Sequence, residues 1–521
     1  MTRTTSLIFV LMLAAAIPAG CTSDSTPDGS LCEPLEPTAC YIGPPSAGGV
    51  GACSPGTAVC AADGKSYGEC SGSVFPSFQS CASGVDTDCD GATACSGSHR
   101  WSQGLIGQGF KSPFDLGVDK DGNITIAGEF DDILDLGGGE LTADPEPMQT
   151  DIFVARYDAT GKHLWSKKIG GAANQDLYGF ASDRSGNIFL TGWSDAAIEF
   201  QGVTLSESFL LKLGPDGEIV WNLPTGGYLA VDGDSNIILA GSFIEPVTFG
   251  DKTLTSAGER DAVILKLDPS GTLLWAISAG GAGSEYPHHV TVDAAGDISL
   301  AGQYSGVADL GDGPHPPGAT DGNQSAFAAK FDKNGAFLWS RSFVGEYVRL
   351  RLLNADKAGN TVLSGQMVGS VDFGGGQVLD NAQAFLTKLD PSGATLFSKG
   401  FTTTDPLSSS IGANVAGIAF DGEDNMLVLG SFGPAIDLGG GFALKAAYTA
   451  VFVAKYDAAG KIIWGLTPGG GYALPNAAGI GADPMGGAVV TGTYDGGMDF
   501  GGGILYGNPN QDEIFLASLA P

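Results

Sequence analysis

A seven-bladed β-propeller of four-stranded antiparallel blades is the fold this sequence predicts, on three observations. A D-x-x-G turn followed by an apolar strand recurs, with small variations, seven times after Trp101. A second such turn, preceded by an apolar strand and followed by an aromatic residue, recurs six times. The ends of the repeating region complement each other. The last unit lacks its final strand, and an orphan copy of that strand, "HRWSQGLIG" at 99–107, precedes the first unit. The predicted class is all-β, a ring closed by an N-terminal strand and preceded by a small disulfide-rich segment.

The chain has 521 residues, 43% of them hydrophobic, enough for a large core or several domains. Acids outnumber bases 58 to 25, for a formal charge of −33. Such a surface repels phosphate backbones and argues against a nucleic-acid partner. All nine cysteines lie between Cys21 and Cys95. The predicted division is a leader (1–20), a tether (21–31), a cysteine-rich module (32–97) and the propeller (98–521).

The leader "MTRTTSLIFVLMLAAAIPAGC" places Arg3 before an apolar run from Leu7 to Ile17. The run is too short to span a bilayer as a mature helix and reads as a secretory signal. Its ending, "IPAGC", resembles a bacterial lipobox, with small Ala19 and Gly20 directly before Cys21. The resemblance implies that the Cys21 thiol takes a diacylglyceryl group and anchors the chain in a membrane. Pro18 stands where a leucine is usual, which leaves ordinary signal-peptidase cleavage as the alternative. Cysteine arithmetic favours lipidation, because removing Cys21 leaves an even eight for an oxidising compartment. Thr22 rather than Asp follows it, and by resemblance to Gram-negative lipoproteins this implies the outer membrane.

Residues 22–31 are polar and read as a flexible tether. Cys32, Cys40, Cys53, Cys60, Cys70, Cys81, Cys89 and Cys95 follow. This span is too poor in apolar residues to fold on a core alone. Four disulfides, at roughly 2–4 kcal/mol each, would supply the missing stability. Their pairing is left open by the spacing. The stretch from Cys40 to Gly91 resembles a cysteine-rich module near the N-terminus of bacterial surface lipoproteins. That module ends in a "CDGxDNDCDG" run described as metal-binding. Asp86, Asp88, Asp90 and Gly91 match the D-x-D-x-D-G opening of a calcium loop, so structural calcium is the one candidate cofactor. Gly97 stands where the loop's bidentate glutamate belongs, and the competing reading is a disulfide-held turn with solvated aspartates.

The propeller repeat begins with "DKDGNITIAG" at 119 and its later copies, such as "DRSGNIFLTG" at 183 and "DKAGNTVLSG" at 356. A second marker follows, as in "DLGGG" at 135 and "DFGGG" at 372. The third is "FVARYDATGKHLW" and its copies, with the aromatic at Trp165, Trp221, Trp275, Trp339, Phe397 and Trp464, 54 to 67 residues apart. Asp119, Asp121 and Asn123 alternate like calcium ligands, but Asp121 becomes Ser185, Ala295, Ala358 and Met485 in other copies. A hard cation needs six or more oxygens, which most copies cannot offer. What persists is Asp at the first position and usually Gly at the fourth, the pattern of a type I turn. Each unit therefore reads as strands A, B, C and D, with the strand D aromatics packed between blades. Glu199 and Thr248 replace the second-marker Asp, which predicts irregular B–C connections in units two and three.

The repeat resembles the bacterial seven-bladed β-propeller (SBBP-type) repeat, "VDxxGNxxxxGxFxGxxDFGG…DxFVAKYDxxGxxxW", over about four-fifths of the chain. The resemblance implies the fold and little about activity. "DATGKHLW" also resembles the D-x-x-T-G-x-x-x-W motif of quinoprotein propellers, but the turn is one residue shorter and the threonine recurs nowhere else. Shared outer-strand packing is the reading, with no quinone site.

Function on a rigid scaffold belongs to its variable loops. The D–A connection "GGAGSEYPHHV" at 280 carries Glu285, Tyr286, His288 and His289, and "GEYVRLRL" at 345 carries Arg349 and Arg351. Two arginines beside two histidines suit an anionic group. The competing reading has alternate strand A residues facing a neighbouring blade and solvent. A shared metal between His288 and His289 is disfavoured, because adjacent strand residues point to opposite faces. No G-x-S-x-G, H-E-x-x-H or P-loop occurs, so no catalytic residue is assigned and the chain reads as a non-enzyme. The leading expectation is a surface-exposed outer-membrane lipoprotein that binds or adheres to a glycan, matrix polymer or protein. The alternatives are a periplasmic-facing scaffold for outer-membrane assembly, a secreted form, or a polysaccharide-acting enzyme.

Overall fold

The structure, a computed structural model, describes residues 32–41, 48–74, 81, 85–87, 89, 93, 95–144, 149–315, 325–380, 382–403, 412–469, 475–508 and 511–521. The signal peptide, Cys21, the tether, Asp88, Asp90 and Gly91 lie outside the described residues. The chain separates into two units, Met1–Cys95 and Ser96–Pro521.

In the first unit, Pro37–Cys40 pairs antiparallel with Gly56–Val59. Four disulfides join Cys32 to Cys60, Cys40 to Cys70, Cys53 to Cys89 and Cys81 to Cys95. Tyr41 and Val50 pack against the buried Cys53–Cys89 bridge. Asp86 is buried, and its backbone carbonyl accepts a hydrogen bond from Ala52 N (2.7 Å).

The second unit is the seven-bladed propeller. Six blades are continuous in sequence, each a four-stranded antiparallel sheet in the order A-B-C-D. Blade 1 takes Lys111–Val118, Ile124–Phe130, Asp151–Tyr157 and His163–Ile169. Blade 7 takes strands A to C from the C-terminus (Asn476–Ala482, Ala488–Tyr494, Glu513–Leu519) and strand D from His99–Gly107. Trp101 pairs with Ser518 and Leu105 with Ile514, which closes the ring as the sequence predicts. Closure covers the edge that strand C of blade 7 would otherwise leave free. Strand C of blades 1, 3, 4, 6 and 7 is buried at all seven residues because both its faces meet a neighbouring blade.

The D-x-x-G turns are turns and not metal loops. Asp119 Oδ1 accepts the backbone N–H groups of Asp121 and Asn123, both at 2.9 Å. Gly122 takes a φ of +80° at the fourth position. The other oxygen, Oδ2, pairs with the Arg156 guanidinium from strand C. The pairing repeats as Lys266–Asp232, Lys330–Asp293, Lys388–Asp356 and Lys455–Asp421, at 2.8–2.9 Å and almost wholly buried. Lys330 Nζ also reaches the carbonyl of Gly359 (2.6 Å), and Lys455 Nζ that of Gly486 (2.9 Å). These two cations thus tie their own A–B turns to that of the next blade, whereas Lys388 Nζ reaches the next blade's C–D turn at the Ala458 carbonyl (3.1 Å). Blade 7 has Ser518 at this place, and Arg100 of the closing strand pairs with Asp483 instead (2.6 Å). The sequence signal was the basic residue inside the strand C apolar run of blades 1 to 6.

The strand D aromatics lie between blades. The Trp165, Trp221, Trp275 and Trp339 indole N–H groups donate to carbonyls in the C–D turn of the following blade, at 3.0–3.3 Å. The glycine of that turn lies against the ring; a Cβ on Gly161 would sit 2.8 Å from Trp101. Trp464 faces blade 7, which has no C–D turn. Gly97, two residues before the closing strand, takes the glycine's place against it, and Trp464 Nε1 is left without an acceptor among the described residues.

The B–C connections of blades 2 and 3 are not irregular. Each is a two-stranded hairpin, Ile198–Phe200 with Val203–Leu205 and Val247–Phe249 with Lys252–Leu254. The second-marker aspartate serves a longer loop, where Asp135 Oδ1 accepts from Gly137 N (2.8 Å) and Gly139 N (3.2 Å). In blade 2 only Gln201 and Gly202 separate the paired residues, both at positive φ, so no carboxylate cap is needed.

Candidate functional site

The seven A strands line the propeller axis and enclose a cavity of about 820 Å³. In six of them the register with strand B slips by one residue. The extra residue is Phe114, Tyr178, His288, Arg351, Ala416 and Ala478 in blades 1, 2, 4, 5, 6 and 7. A bulge of this kind breaks the two-residue alternation and re-aims the side chain. Phe114 and Tyr178 line the cavity and remain 41% and 46% exposed.

The bulge changes the reading of the histidine pair. His288 is the extra residue between Pro287 and His289, so the two rings do not diverge as neighbours on a regular strand would. Both line the cavity. Both stand against Tyr228 of blade 3, with ring centroids 5.9 and 6.1 Å away. Tyr228 Oη and His288 Nδ1 share a hydrogen bond of 3.3 Å. Burial, then the Arg349 charge, hold the His288 imidazolium below its usual range. Burial pushes His289 down to about 3, helped by His288, Arg351 and Arg349. Both imidazoles are therefore neutral at pH 7. Burial raises the Tyr228 phenol and Arg349 opposes that rise.

Arg349 is half-buried and Arg351 exposed on strand A of blade 5 (Tyr347–Ala355). Arg351 donates to Gln366 Oε1 at 3.4 Å. Neither arginine has a carboxylate partner among the described residues, whereas the strand C cations above are ion-paired. The charges of both arginines act on the two histidines, and that of Arg349 on Tyr228, so the four predicted residues stand within electrostatic range of one another, while only the histidines line the cavity.

It holds Glu285 and Tyr286 apart from them. Glu285 is fully buried at the start of strand A of blade 4 (Ser284–Val292), where Oε1 accepts from Gly281 N (3.3 Å) and Oε2 has no partner. Burial raises its pKa to about 7; the Gly281 bond opposes this, and Asp261 and Asp309 add to it. Tyr286 stacks on Arg260, whose guanidinium lies 5.4 Å from the ring centre.

Sequence reading missed Phe114, Asp115, Tyr178 and Tyr228, which all line the cavity. Asp115 accepts from its neighbour's N–H (Leu116, 2.7 Å), yet burial pushes its carboxyl up to about 7. The available signal was position: each stands a few residues before the first-marker turn of its unit. Among the described residues no group of three His, Cys, Asp or Glu side chains is placed to hold a metal ion.

Residues 164–198 match the family model described as SBBP, beta-propeller repeat. The chain is 26% identical to an uncharacterized WD repeat-containing protein of Acanthamoeba polyphaga mimivirus over 30% of its own length, and spans only 14% of that curated relative. Among solved structures it is similar to a streptogramin B lyase, with 11% identity over 80% of this chain and 97% of that one and a TM-score of 0.40. The β-propeller domain of the Trilobed protease from Pyrococcus furiosus gives 8% identity over 77% and 99%, also at 0.40. An ulvan lyase from a polysaccharide lyase family gives 10% over 76% and 92%, at 0.39. The seven-bladed assignment rests on the strand order and closure described above.

Proposed function

We propose that the chain is a cell-envelope lipoprotein whose propeller is a binding or adhesion scaffold for an extracellular glycan, matrix polymer or protein. The observation that carries this reading is the axial cavity, lined on rigid strands by aromatic faces and two imidazoles, beside a strand whose two arginines have no carboxylate partner among the described residues. Such a mixture of apolar walls and a few placed polar groups is what small-ligand sites look like. Four disulfides support passage through an oxidising compartment. The lipobox-like ending at Cys21 supports an anchor.

Protease shaving of intact cells, with antibody detection of the propeller, tests the placement. Loss of signal on intact cells supports the surface reading. Protection until the outer membrane is opened overturns it in favour of a periplasmic assembly scaffold. Binding of the full chain to an array of glycans and matrix proteins tests the role, and no binding to any member overturns adhesion.

A further inference from the structure

We infer that the channel wall formed by blades 3, 4 and 5 is a recognition site for a carboxylated sugar, with Arg349 and Arg351 receiving the carboxylate and Tyr228, His288 and His289 the ring. The inference deepens the binding reading above and rests on it. Three observations from different blades carry it.

The first is charge. On a chain of net charge −33, Arg349 and Arg351 stand two positions apart on one strand without a carboxylate partner among the described residues. Two uncompensated guanidinium groups repel one another, and a bound carboxylate relieves that repulsion. Guanidinium matches a planar carboxylate through paired N–H donors. A long polyanion would meet the repulsion of the whole acidic surface, so the fit is to one acidic sugar unit or a short oligomer.

The second is hydrogen-bonding capacity. Neutral His289 offers both a donor and an acceptor, and the Tyr228 hydroxyl keeps a further place beyond its bond to His288 Nδ1, which suits sugar hydroxyls. An imidazolium pair would offer donors only. The third is shape. The cavity, about 820 Å³, is of the size of small-molecule sites; Tyr228, His288 and His289 line it from blades 3 and 4, and the exposed rings of Phe114 and Tyr178 provide flat apolar faces across it on blades 1 and 2. These suit the C–H face of a pyranose.

The test is calorimetric titration of the full chain with trigalacturonate, its methyl ester and glucose 6-sulfate, on wild type, Arg349→Gln, Arg351→Gln and Tyr228→Phe. Circular dichroism and thermal melting confirm that each variant is folded; Arg351→Gln, at an exposed position, keeps the test open if Arg349→Gln misfolds. Trigalacturonate is expected to bind, the methyl ester at least about 10-fold more weakly, and either arginine variant to lose about 10-fold or more. Tyr228→Phe should weaken the acid and the ester alike. Equal binding of acid and ester, or no loss in the arginine variants, overturns the ligand class while leaving a binding scaffold. Stronger binding of the sulfate than of the carboxylate overturns the assignment to a uronate. No binding of any probe overturns the inference, and the glycan and matrix array then decides the wider reading independently.

Discussion

Replacing Glu285 by Gln should stabilise the propeller at pH 8 and leave it unchanged at pH 4. Glu285 is fully buried, with Oε2 unpartnered, and burial raises its pKa from 4.5 to about 7. The folded state therefore holds a proton there that the unfolded chain releases above pH 4.5. Stability falls as pH rises through the interval from 4.5 to about 7 and is level on either side of it. A rise of this size corresponds to about 3 kcal/mol, at roughly 1.4 kcal/mol per pH unit. Glutamine cannot ionise, so it escapes the cost. Blade 2 carries a glutamine at this position, opposite Ser194 where blade 4 has Tyr304. Gln175 holds the equivalent place, accepts from Gly171 N at 3.4 Å as Glu285 accepts from Gly281 N at 3.3 Å, and donates to Ser194 Oγ at 3.2 Å. Urea unfolding of both proteins across pH 4 to 8 is the assay. Asp115 also titrates near 7 but is common to both, so it cancels in the difference. A pH-independent difference, or a variant less stable at pH 8, refutes the reasoning.

Three further outcomes follow from the blade contacts. Lys330→Met should lower stability by about 3–5 kcal/mol in urea unfolding, because it strands the buried Asp293 carboxylate without its cation. Gly161→Val should destabilise the closing strand, since φ there is +82° and the Trp101 ring lies 2.8 Å from the added Cβ. Left-handed strain alone costs about 1–2 kcal/mol, read as a lower thermal midpoint with altered tryptophan fluorescence. Reduction with dithiothreitol should abolish hydrogen-exchange protection in residues 32–95 and leave the propeller's unchanged, because all four disulfides lie in the first unit.

The architecture was legible in the sequence because it is written in local chemistry. A D-x-x-G turn needs only an aspartate oxygen facing its own backbone and a residue tolerant of positive φ. Seven copies of that turn, and a C-terminus one strand short, count the blades and predict closure by 99–107 without any tertiary information. The structure alone decided the cysteine pairing, which depends on how the chain folds across sequence separations of 14 to 36. It also decided the site. Reading His288 and His289 as diverging neighbours assumed a regular strand, and the one-residue bulge between Pro287 and His289 removes that assumption. Tyr228, 60 residues before His288, meets it only because seven inner strands converge on one axis. Turns are short-range and recur in the sequence; the convergence of side chains from three blades is long-range, and only the closed ring creates it.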